Sequence, residues 1–121
     1  MARDEEPRQP TVADVVREAA GAVDPSDRHP LVGDFERWFE DDDDLASTVS
    51  DLDRRIGGAV AELDPDDEHP ELAVAAATAL YLATGPRHEP RDADRLIEQA
   101  VRFQYRDDVP AAIADWAGLT R

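Results

Sequence analysis

Apolar residues recur along this chain at steps of three and four, and nowhere do they alternate with polar ones over a strand's length. Val12, Val15, Val16, Ala19, Ala20 and Val23 form one helical stripe. Thr11, with Asp14 three residues on, opens it as a capping-box pair, and Asp24-Pro25 closes it. Leu31, Val32, Phe35, Trp38 and Phe39 predict a second helix on one face, ended by the acids from Glu40 to Asp44. A third run starts after Asp44, with Leu45, Val49, Leu52, Ile56, Val60 and Leu63 in step. Gly57-Gly58 lies within it, which weakens the helix by about 1 kcal/mol per glycine and points to a kink or a close neighbour. Leu72 to Pro86 is uncharged and alanine-rich, so a fourth helix there is apolar on every side and must be surrounded by others. Leu96, Ile97, Ala100, Val101 and Phe103 predict a fifth helix, and Ala112, Ile113, Trp116 and Leu119 a sixth. The expected fold is all-α: about six helices in one domain over residues 11–121, behind a mobile polar tail at 1–10.

A period of forty residues runs through this pattern. Asp24-Pro25-Ser26-Asp27-Arg28-His29-Pro30 matches Asp64-Pro65-Asp66-Asp67-Glu68-His69-Pro70 at five of seven positions, and Asp107-Asp108-Val109-Pro110 is a degenerate third copy. The preceding helices keep the register, with Val16, Ile56 and Leu96 in one column and Ala20, Val60 and Ala100 in another. Asp27, Asp67 and Asp107 then read as N-caps, with Pro30, Pro70 and Pro110 at the third helical position. Three helical hairpins of this length cannot each bury an apolar face alone, so they must stack. Leu63-Asp64-Pro65, followed by Glu71 through Leu80, resembles the turn and small-residue second helix of HEAT-type helical repeats. That resemblance implies a binding scaffold without chemistry of its own and brings no functional residues with it. The same pattern also allows an irregular six-helix bundle.

Charge changes the picture more than size does. Of 121 residues, 13 are basic, all of them arginine, and 29 are acidic, for a net charge of −16. Such a chain repels itself where the screening length is about 8 Å, and much less at molar salt, where it is about 3 Å. A salt-adapted or GC-rich source is the simplest reading; a protein that imitates nucleic acid to engage a basic partner is the sharper one. No basic patch is present for direct contact with nucleic acid or an anionic membrane. The uncharged stretch Leu72 to Pro86 is too short to span a bilayer, and Met1 to Pro10 has no signal-peptide character, so a cytoplasmic location is expected. The chain has no cysteine, which excludes disulfides, thiolate metal sites and cysteine nucleophiles.

Four constellations could carry function. His29 and His69 occupy equivalent turns beside aspartates, and with His88 they are candidate metal ligands, although a spacing of forty is not a ligand signature. Glu68, Glu71, Glu89 and Asp92 form two acidic pairs that resemble the magnesium-holding motifs of all-α nucleoside-triphosphate pyrophosphohydrolases. That resemblance implies a metal-dependent hydrolase, but Pro70 and Pro90 interrupt both pairs. The tract Glu40 to Asp44 lacks the alternation and glycine of a calcium loop. Part of it fits better as a cap for the following helix. Phe35, Trp38, Phe39 and Trp116 could face a partner or line the core. Ser26, Ser47 and Ser50 have no nucleophile context, and no glycine-rich phosphate loop is present. The expectation is a non-enzymatic helical interaction module without cofactor, binding a protein partner or itself, with Phe35, Trp38, Phe39 and Trp116 as contact residues.

Overall fold

The computed structural model describes residues 10–45, 51–66, 68–84, 93–106 and 108–118. Six α-helices follow one another: α1 (Val12–Val23), α2 (Pro30–Trp38), α3 (Leu52–Leu63), α4 (Pro70–Thr84), α5 (Ala93–Tyr105) and α6 (Ala111–Trp116). Among the described residues there is no strand, only an isolated antiparallel bridge between Thr11 and Leu45. None of these helices is long and apolar enough to cross a membrane.

Helix α4 is the axis of the fold. It packs most extensively on α1 and α5 and also touches α2, α3 and α6. Its sequence explains why: Leu72, Val74, Ala75 and Ala79 are fully buried, and their mostly small side chains admit neighbours from several directions. Thr78, equally buried, donates its hydroxyl to the Val74 carbonyl at 2.8 Å, so this deeply buried polar side chain is satisfied. Helix α1 also packs on α2 and α5, and α2 packs on α3. Helix α6 makes its contacts chiefly with α4.

The start of α1 is fixed as its capping box predicts. Thr11 Oγ1 accepts from the Asp14 amide at 3.1 Å, and the Asp14 carboxylate accepts from the Thr11 amide at 3.0 Å. Val12, Val15, Val16, Ala19, Ala20 and Val23 are all buried, as the stripe requires. Gly21 lies on the outer side, where an added Cβ would meet nothing within 4 Å. Gly21→Ala is therefore expected to stabilise the protein by about 0.5–1 kcal/mol, seen as a melting temperature a few degrees higher.

Several elements differ from the sequence expectation. Helix α3 spans Leu52–Leu63, and Leu45, expected at the start of its run, is instead engaged in the bridge to Thr11. Val49, Ser47 and Ser50 lie outside the described residues. Gly57 and Gly58 face open space, so no close neighbour within the described chain requires them. On α5, Leu96, Ile97, Ala100 and Val101 are buried, but Phe103 is 39% exposed, with its ring against Tyr81 at 5.4 Å. On α6 Ile113 is buried and Ala112 is exposed, while Leu119 lies outside the described residues.

Candidate functional site

The two matched turns share one geometry, though its anchor is not the aspartate that the spacing suggests. Asp24 ends α1 with φ −135° and ψ 66°, and Asp64 ends α3 with φ −138° and ψ 66°. Each folds its carboxylate back over the turn. Asp24 accepts from the amides of Arg28 and His29 at 2.8 and 2.9 Å, and Asp64 accepts from those of Glu68 and His69 at 3.0 Å each. Asp27 is not an N-cap: it is exposed in the left-handed region at φ 56°, a conformation aspartate tolerates. His29 holds the N-cap position, and Pro30 is the first residue of α2 rather than its third. The proline's missing N–H is harmless there. Asp67 and Asp107 lie outside the described residues. The third turn is built differently, with Gln104 where Asp24 and Asp64 stand, and with Arg106 in the left-handed region at φ 55°.

These clasps set the carboxyl chemistry. Burial pushes the Asp24 carboxyl up, but the two amide bonds outweigh it and hold the group below the usual carboxylate range. For Asp64 the amide of Glu68 is the largest influence and again the net direction is down, against burial and with help from the His69 amide. Asp14 is likewise lowered, first by the Thr11 amide.

The turns bring His29 and His69 to one carboxylate. His69 Nδ1 lies 3.3 Å and His29 Nδ1 3.8 Å from the same Glu71 oxygen, and the His29 ring meets Trp116 edge-on at 5.8 Å. Glu71 thus lies between the start of α4 and the start of α2. Among the described residues no group of three or more histidine, aspartate or glutamate side chains is placed to hold a metal ion. Glu68 is exposed and serves its turn through its backbone amide. Glu89, Asp92 and His88, the remaining metal candidates, lie outside the described residues.

The acidic tract has a structural task that the sequence did not reveal. The carbonyls of Asp44 and Asp42 accept from the Val12 and Ala13 amides at 2.9 and 3.0 Å, satisfying donors at the open end of α1. Arg55 of α3 pairs with the Asp42 carboxylate and lies 3.7 Å from that of Asp44. The tract therefore caps α1, the first helix, instead of the helix that follows it. Its charges also sit at the positive end of that helix's dipole.

The aromatic set divides. Phe35 is 0% exposed and Phe39 4%, and their rings meet edge-on at 5.6 Å inside the core. Phe35 is wholly enclosed, whereas Phe39, although nearly as buried, borders the groove beside Trp38. Trp116 is half-buried against the same core. Trp38 alone stands out, 50% exposed, on a groove of about 440 Å³ that it lines with Gly58, Ala59 and Glu62 of α3. A second hollow of about 340 Å³, between α1 and α2, is lined by Arg17 and Arg37, which pair with Asp14 and Asp34.

The fold and its surface define an all-α helical domain, assembled around a buried alanine-rich helix and carrying one prominent exposed tryptophan. Comparison of the chain with protein-family models, curated proteins and solved structures returns no match.

Proposed function

We propose that this protein is a non-enzymatic helical interaction module whose contact surface is the groove beside Trp38. The observation that carries the reading is the half-exposed indole on a helix whose other aromatic, Phe35, is fully buried. Tryptophan is enriched in interface cores, where its large area is covered at small entropic cost. The acidic composition fits a salt-adapted surface that stays hydrated under strong screening. The turn geometry of Asp24 and Asp64 supports a scaffold of related hairpins, the HEAT-like reading, since both turns are clasped alike.

The test is capture from a lysate of the source organism, with the bound protein identified by mass spectrometry. An identified partner is expected to be lost with Trp38→Ala and retained with Phe103→Ala, a control at another exposed aromatic. Magnesium-dependent hydrolysis of nucleoside triphosphates by the purified protein would overturn the reading in favour of an enzyme.

A further inference from the structure

We infer that the occupant of the Trp38 groove is a second copy of this chain, with α3 packed antiparallel against α3 about a two-fold axis near Gly58. The inference rests on the interaction-module reading and names the partner for the same surface.

Arg54, Gly58 and Glu62 follow one another at steps of four, so they share one face of α3. All three are exposed, as are Gly57 and Ala61 beside them. In a chain with 35% charged residues, the centre of this face carries no charge and almost no side chain. A Cβ on Gly57 or Gly58 would meet nothing within 4 Å, so nothing in the described chain calls for glycine there. Two glycines inside a helix are unfavourable, and a close approach by another backbone is a physical reason for them.

The charges at the two ends select the occupant. Arg55 is held by Asp42 and Asp44, whereas Arg54 and Glu62 have no ion-pair partner among the described residues. A uniformly basic partner would meet Arg54, and a uniformly acidic one would meet Glu62. An antiparallel copy satisfies both: with the axis at Gly58, Arg54 lies opposite Glu62 of the second copy, and Glu62 opposite its Arg54. This is the self-complementarity an isologous contact requires. The face has one positive and one negative end, so it is neutral in a protein of charge −16, where most other approaches of two copies bring like charges together. Trp38, on the same groove as Gly58 and Glu62, is covered in the same contact.

Sedimentation equilibrium of the full chain tests this, run in about 1 M potassium chloride so that the screening length is about 3 Å and overall repulsion is suppressed. The wild type is expected to dimerise. Arg54→Glu and Glu62→Arg should each weaken the dimer about tenfold or more, because symmetry places every reversal in the contact twice. The double variant Arg54→Glu/Glu62→Arg should recover most of that loss. Both sites are exposed, and circular dichroism of each variant verifies that the helices persist. A wild type that stays monomeric, a dimer indifferent to either reversal, or a double variant no better than the singles overturns the inference. A monomer that still captures an identified partner through Trp38 overturns the dimer and leaves the interaction module standing.

Discussion

Phe35→Ala is expected to destabilise the protein by about 3–5 kcal/mol, whereas Trp38→Ala, three residues on in the same helix, should cost less than about 1 kcal/mol. Phe35 is fully buried, and its removal leaves a cavity that the packed helices cannot wholly close. It also removes the edge-on contact with Phe39. Trp38 is half-exposed and gives up little water-excluding contact when truncated. A loss near 4 kcal/mol is a large part of the 5–15 kcal/mol that typically separates folded from unfolded states. Chemical denaturation of both variants measures the difference. Equal losses would show that Trp38 also belongs to the core and would remove the basis for its groove as a contact surface.

Asp24→Ala is expected to cost about 2–3 kcal/mol, since it deletes two charge-assisted bonds to backbone amides and leaves those donors over a tight turn. Asp64→Ala should act in the same direction at the matching turn. Asp24→Asn keeps one acceptor but turns an NH₂ group toward the other amide, so it should fall between wild type and alanine. The carboxyls of Asp14, Asp24 and Asp64 are lowered in the folded state, so the unfolded chain binds protons first as pH falls. Their stabilisation is complete above the unfolded value of about 3.9 and is lost as pH drops below it, through the lower folded values. Melts between about pH 5 and pH 2 should therefore steepen in wild type and flatten in the Asp24→Asn/Asp64→Asn variant. An unchanged acid profile would mean that the two clasps contribute nothing.

How much of this was legible beforehand depended on whether the signal was local. The α1 stripe recurs at steps of three and four and its capping box spans four residues, so the sequence determined them, down to the Thr11–Asp14 exchange. The central place of α4 was equally legible, because a helix without a polar side can only be surrounded. The forty-residue match marked the two turns, yet the intervening Asp27 attracted the capping role that Asp24 plays. Both are aspartates at plausible positions, and only the backbone path, with Asp27 in the left-handed region, decides between them.

Helical periodicity placed Phe35, Trp38 and Phe39 on one side of α2, but a side spans more than the core covers. Which of the three stays outside depends on where α3 crosses, and that is settled by packing between helices distant in sequence. The acidic tract likewise gave no hint that its carbonyls close the start of α1, because backbone groups are identical in every residue and carry no sequence signal. The sequence by itself determined the all-α class, the apolar stripes, the first cap and the −16 charge, all properties of residue type and short spacing. Only the tertiary structure decided that two histidines meet one glutamate, that Arg55 anchors the tract and that Trp38 stands at the surface. The approach of His29 to Glu71, the Arg55–Asp42 pair and the exposure of Trp38 all depend on segments well separated along the chain, and such placements are set by how whole helices pack.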